Sequence, residues 1–180
     1  MTTVLFCHGL ESGPHGRKHS WLVAAGHDVR APDCRGLDLA ARIVRIREAI
    51  AAIARERREA RGEGAGGCLL VGSSFGGIAG LVAACEATAE GHPLEGLVLC
   101  APALLLWPHP LRAPAPTIVV HGRGDEIIPI EHSRAFVRGQ HDAPVRLVEV
   151  DDDHRLGASR SELLAAVDAL SAARRELAST

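Results

Sequence analysis

Short apolar runs recur along the chain, each closed by glycine, proline or a cluster of charges. They are Val4 to Cys7, Val29 to Pro32, Cys68 to Val71, Leu97 to Cys100, Thr117 to Val120 and Val145 to Val150. Continuous rather than alternating apolarity marks strands covered on both faces. Between the runs the apolar spacing changes to the helical period. Trp21 to Ala25 predicts a short helix stopped by Gly26. From Asp38, a plausible N-cap, Ile43, Ile46, Ile50 and Ile53 predict a long helix to about Arg61, which the stretch from Gly62 to Gly67 ends. Ile78 to Cys85 is rich in Ala and Leu and predicts a helix packed closely on a sheet. Glu131 to Arg138 predicts another, stopped at Gly139. Ser159 followed by Glu162 has capping-box spacing ahead of Leu163, Val167 and Leu170. Strands and helices therefore alternate. That order predicts an α/β fold of about six mostly parallel strands with helices on both faces. The 180 residues contain no repeat and no low-complexity linker, so one domain over 1–180 is expected.

Composition narrows the function classes. A net charge of −2 offers nothing to nucleic acid or an anionic membrane. Aromatics make up 3% of the chain with no Tyr, which excludes a stacking platform for bases. No apolar run approaches the roughly 18 residues of a membrane span, and no leader pattern precedes Val4. The five cysteines are odd in number, never spaced C-x-x-C, and mostly within apolar runs. They read as buried free thiols in a reducing compartment, and a cytoplasmic location is the expectation. The polar face of the long helix carries Arg42, Arg45, Arg47, Arg55, Arg57 and Arg58 among Glu48, Glu56 and Glu59. Such interspersed signs predict a solvated face laced by i,i+3 and i,i+4 pairs, not a binding patch.

Chemistry concentrates after the strands. Gly72-Ser73-Ser74-Phe75-Gly76 fits G-x-S-x-G between an apolar strand and a small-residue helix. This context forces a sharp turn that exposes the central hydroxyl, here that of Ser74, with the next N–H groups and the helix N-terminus beside it. A serine needs a base within reach, and the base needs an acid to hold its tautomer. Asp125 and His154 supply both, each after a separate strand and in the order Ser…Asp…His that accompanies such an elbow. Asp151, Asp152 and Asp153 compete as the acid, although sequence neighbours of a histidine seldom reach its far ring nitrogen. Arg-Gly-Asp at 123–125 also matches an adhesion tripeptide. His8, His15 and His19 could be imagined as metal ligands, but no matching carboxylate set accompanies them.

These segments resemble a small α/β-hydrolase-fold serine esterase, of the compact, nearly lidless, YqiA-like bacterial kind. The resemblance rests on His8-Gly9-Leu10 with Ser12-Gly13-Pro14 and Lys18, on Gly72 to Gly77, on Gly122 to Pro129, and on Asp153-His154. It implies that the N–H groups of Leu10 and Phe75 form an oxyanion hole, and His8 then reads as a brace of the oxyanion loop rather than a metal ligand. It also implies an open site, with only the 103–116 loop where a lid would stand. Leu104 and Trp107 are candidate walls of a substrate pocket. No cofactor or metal is implied. The expected activity is cleavage of carboxylic, short-chain acyl esters through an acyl-enzyme. A thioesterase or peptidase using the same residues, or a silent hydrolase-fold binding protein, remains the alternative.

Overall fold

Alternate side chains of the inner strands point to opposite faces of a sheet, and because both sets are apolar, both faces must be covered. The computed structural model describes residues 2–62 and 67–177. Its strands are β1 (Thr3–Cys7), β2 (Asp28–Arg30), β3 (Leu69–Ser73), β4 (Gly96–Cys100), β5 (Thr117–Gly122) and β6 (Val145–Val150). All lie in one sheet, ordered β2-β1-β3-β4-β5-β6, and every neighbouring pair is parallel. Leu5, Cys7, Leu70, Leu97, Leu99 and Val119 face one side. Val4, Phe6, Leu69, Val71, Val98, Ile118 and Val120 face the other.

The first side is covered by α2 (Leu39–Arg61), α3 (Phe75–Ala89) and α4 (Glu131–Arg138), the second by α1 (Arg17–Ala24) and α5 (Arg160–Leu177). The α1 connection steps from β1 outward to β2, while those through α2, α3 and α4 step the opposite way. Helices on opposite faces are what right-handed crossovers then require. The Asp38 carboxylate accepts the Ala41 N–H at 2.8 Å, and Gly62 ends α2 at φ 83°. Ile43, Ile46, Ile50 and Ile53 of α2 are buried, each worth about 1.5–3 kcal/mol.

Several boundaries differ from the sequence reading. The first helix begins at Arg17, four residues before Trp21, because its opening turn is polar and shows no apolar period. The edge strand β2 ends at Arg30, short of Pro32, which has no N–H for a ladder. The third helix starts directly after Ser74, its first turn hidden in a glycine-rich stretch. Leu104–Leu106 forms a single 3₁₀ turn within what reads as loop. The capping box does not form: the Ser159 hydroxyl donates to Asp152, and Glu162 instead accepts from Ser161. Residues 63–66, part of the predicted helix stop, lie outside the described residues.

The chain leaves β1 in one direction and β3 in the other. Their carboxyl ends therefore flank the topological switch point, where open α/β sheets bind ligands.

Candidate active site

The loops after β1 and β3 meet at that switch point. Ser74 holds φ 53° and ψ −116°, a strained conformation for a residue with a Cβ. The tertiary structure over-determines it. The Ser74 N–H donates to Cys100 O at 2.8 Å, and its carbonyl accepts from Gly77 and Ala103. Glycine is required on both sides. A Cβ on Gly76 would stand 2.2 Å from Cys7 O, and one on Gly72 would stand 2.7 Å from Gly77 Cα. A Cβ on Gly9 would come within 3.7 Å of Ser74 Cβ, so the His8-Gly9-Leu10 loop runs directly beside the hydroxyl. Among the described residues neither the Leu10 nor the Phe75 N–H has a hydrogen-bond partner.

Two further loops complete the rim. The Ser74 hydroxyl lies 2.9 Å from His154 Nε2, and His154 Nδ1 lies 2.8 Å from Asp125 Oδ2. Facing a carboxylate, Nδ1 carries the ring proton; Nε2 is then bare and accepts from Ser74. Gly122 permits the approach of these loops, since a Cβ there would lie 2.3 Å from Asp152 O. Lys18 of α1 donates to Arg155 O at 2.8 Å and ties down the histidine loop.

Asp125 is the acid in contact with His154. Its Oδ1 accepts the N–H groups of Ile127 and Ile128 at 2.9 and 2.8 Å. Burial pushes its carboxyl up, but the Ile128 N–H, the His154 ring and the Ile127 N–H outweigh that, and the net shift is downward. Two of the competing acids are occupied elsewhere. Asp152 accepts from Asp153, Ala158 and Ser159, and Asp153 accepts from Arg155, so these carboxylates fold their own loop. The side chain of Asp125 is fully buried, which removes the adhesion reading of residues 123–125.

The family profile described as "Alpha/beta hydrolase family" matches residues 4–179. This chain belongs to that family. No curated protein sequence matches it. Among solved structures, a protein of the alpha/beta superfamily of hydrolases from Xanthomonas campestris pv. campestris is 28% identical. It superposes with a TM-score of 0.72 over 96% of this chain and 99% of its own. A second Xanthomonas campestris protein, a member of the α/β serine hydrolases without a lid, is 22% identical. Its TM-score is 0.67, with 93% of this chain and 81% of that one covered. An alpha-beta serine hydrolase homologue from Coxiella burnetii is 20% identical, with TM-score 0.67 and coverage of 90% and 81%. The last two likenesses show the shared fold.

Between β4 and β5 this α/β hydrolase carries no inserted helical cap, only the 3₁₀ turn and a loop. Leu104 and Trp107 pack partly into the core, while Leu105 and Leu106 are exposed. Leu10, after β1, and Ile127, after β5, are also exposed large apolar residues, on loops at the same end of the sheet. His15 and His19 stack edge-on, and among the described residues no group of three His, Cys, Asp or Glu could hold a metal ion. Burial pushes the Cys68 thiol up to about 12 and the Cys100 thiol up to about 11, so both stay protonated. Among the described residues no helix is long and apolar enough to cross a membrane.

Two residues of this hydrolase, His121 and Arg42, carry more of the site than their sequence context suggested. His121, at the end of β5, is fully buried and lies 3.1 Å from Asp125 Oδ2 and 3.0 Å from Ile128 O. With two acceptors before it, its Nε2 carries the proton, and its Nδ1 accepts from the Ser133 hydroxyl at 2.7 Å. Asp125 is thus held by two histidines. His8 is buried too. Its Nδ1 faces Gly9 O at 2.8 Å and its Nε2 accepts the Cys34 N–H at 3.0 Å, so the ring braces the Leu10 loop as a neutral group.

Arg42 departs most from expectation. It is buried, 1% exposed, and does not belong to a solvated face. The signal was present: Arg42 lies four residues before Ile46, in line with the stripe Ile46, Ile50, Ile53. Other arginines of α2 also reach beyond the helix, Arg47 to Glu86 of α3 and to Glu90 just after it, and Arg45 to Asp33 O.

Proposed function

We propose that this α/β hydrolase is a serine hydrolase that cleaves carboxylic esters of short acyl chains through an acyl-enzyme. The observation that carries the reading is the continuous contact of Ser74, His154 and Asp125, with two unpartnered N–H groups beside the hydroxyl. Ser74 Oγ attacks the acyl carbonyl while His154 Nε2 takes its proton. Asp125 holds the tautomer and stabilises the imidazolium that forms. The N–H groups of Leu10 and Phe75 receive the developing oxyanion, where one such donor is typically worth about 3–4 kcal/mol. Collapse expels the alcohol, protonated by His154. Water then attacks the acyl-enzyme by the same route in reverse.

An acyl substrate is supported by the exposed Leu10, Leu105, Leu106 and Ile127 on loops at the carboxyl ends of the strands. Such residues cover a short alkyl chain without enclosing it, which favours small acyl groups on an open rim. The test is labelling with a fluorophosphonate probe, followed by turnover of p-nitrophenyl and thioester substrates of graded acyl length. Labelling abolished in Ser74→Ala, with fastest turnover of short oxygen esters, is the expected result. Folded wild-type protein that neither labels nor turns over would sink the reading in favour of a silent binder.

A further inference from the structure

Arg42 is the largest of the fully buried side chains, and no carboxylate pairs with it among the described residues. Burying an unneutralised guanidinium is costly, so what surrounds it must offset the loss of water. The surroundings are the two halves of the proposed oxyanion hole. Arg42 Nη1 donates to His8 O at 3.1 Å and to Gly9 O at 3.3 Å, and Nε donates to Leu37 O at 3.1 Å. The guanidinium carbon stands 4.9 Å over the centroid of the Phe75 ring. Its Nη2 is buried without a hydrogen-bond partner.

We infer that Arg42 is the positioning residue of the oxyanion hole, aiming the Leu10 N–H, fixing Phe75, and lending both donors a positive charge that no carboxylate contacts. The inference rests on the ester-hydrolase reading.

The geometry of the peptide bond explains the aim. Gly9 C=O and Leu10 N–H belong to one planar trans peptide and point in opposite directions. A cation gripping the oxygen on the interior side turns the N–H outward, toward the Ser74 side of the loop that Gly9 lines. The same grip polarises the peptide, which strengthens its N–H as a donor. On the other side, the cation holds the Phe75 ring by its face, and the Phe75 N–H heads α3. An unneutralised charge is also differential. It interacts weakly with a neutral ester carbonyl and strongly with an oxyanion, so it lowers the barrier rather than tightening substrate binding. A carboxylate partner would have cancelled that effect.

The test compares wild type with Arg42→Met and Arg42→Lys. Methionine fills similar space without charge or donors. Lysine keeps the charge but loses the planar fork and the stacking. Arg42→Met should lower kcat by about 10- to 100-fold, less than loss of a donor itself, with KM changed by no more than about threefold. Arg42→Lys should lie between the two. The affinity for a trifluoromethyl ketone, which forms a tetrahedral oxyanion on Ser74, should fall in proportion to kcat/KM. A brace that merely supported the fold would lower the denaturation midpoint without that proportionality.

A folded Arg42→Met or Arg42→Lys with kcat and inhibitor affinity within twofold of wild type overturns the inference and leaves the esterase reading standing. If neither variant folds, the wild type still decides. The side-chain ¹⁵N resonances of Arg42 should shift when the ketone adduct forms, and unchanged resonances overturn the inference. A wild type that neither hydrolyses esters nor labels at Ser74 overturns both.

Discussion

Replacing Asp125 by Asn tests the acid assignment with almost no change of shape. Oδ1 of Asp125 accepts two backbone N–H groups, from Ile127 and Ile128, which an amide oxygen can also accept. Rotating the amide the other way would aim its NH₂ at those two N–H groups and forfeit both bonds, a loss of about 1–3 kcal/mol per unsatisfied group. The new NH₂ must therefore occupy the position of Oδ2, 2.8 Å from His154 Nδ1 and 3.1 Å from His121 Nε2. A donor there forces His154 to present a bare Nδ1 and to carry its proton on Nε2. The ring then donates toward Ser74 and cannot take its proton. His121 can keep its Nε2 proton, because Ile128 O at 3.0 Å still accepts it. Loss of the correct tautomer is worth about 10⁴-fold in kcat, or about 5 kcal/mol of barrier. Hydrolysis of p-nitrophenyl acetate by Asp125→Asn should fall by that order, with the fold retained by circular dichroism. Asp152→Asn and Asp153→Asn, which alter only the bonds within their own loop, should stay within about tenfold of wild type. Near-normal turnover by Asp125→Asn, or an equal collapse in Asp153→Asn, would refute the argument.

Two further outcomes concern the scaffold around the site. Gly76→Ala drives a methyl to 2.2 Å from Cys7 O and 2.4 Å from His8 O, both backbone atoms at the end of β1. It should destabilise the protein by about 1–3 kcal/mol or more, read as a lower urea midpoint, and an unchanged midpoint would contradict the close packing described. His8 is held neutral: burial lowers its pKa most and Arg42 and Arg35 lower it further, against the opposing pull of Gly9 O and Asp33. A depressed folded value means that the unfolded chain takes up the proton first. Stability should be full above the unfolded value of about 6.5 and decline as pH falls through the folded one. Denaturation from pH 7.5 to 5 should show this slope in wild type and a smaller one in His8→Gln; parallel slopes would remove His8 as its source.

The amino-acid sequence alone determined what depends on local order. Six apolar runs alternating with helical periods specify a parallel sheet covered on both faces, because one chain direction and one crossover hand leave few alternatives. Gly72, Ser74 and Gly76 specify the elbow, since only glycine tolerates the backbone contacts that turn requires. Asp125 and His154 were legible from their places after strands, and the structure brings both into one chain of contacts with Ser74.

Burial of polar groups was decided only by the tertiary structure. Asp151, Asp152 and Asp153 adjoin His154 in sequence, yet their loop turns on its own carboxylates and leaves the ring to Asp125. His121 ends a strand like any polar residue until α4 brings Ser133 against it. Arg42 stands among arginines that all read as solvated. Whether a charge on a helix is wet depends on what packs over that turn, and here it is the backbone of the β1 loop, folded back from more than thirty residues earlier. The stripe Ile46, Ile50, Ile53 puts Arg42 on the core-facing side of α2, but no periodicity encodes the carbonyls that receive it, so its partners appear only once the sheet is assembled.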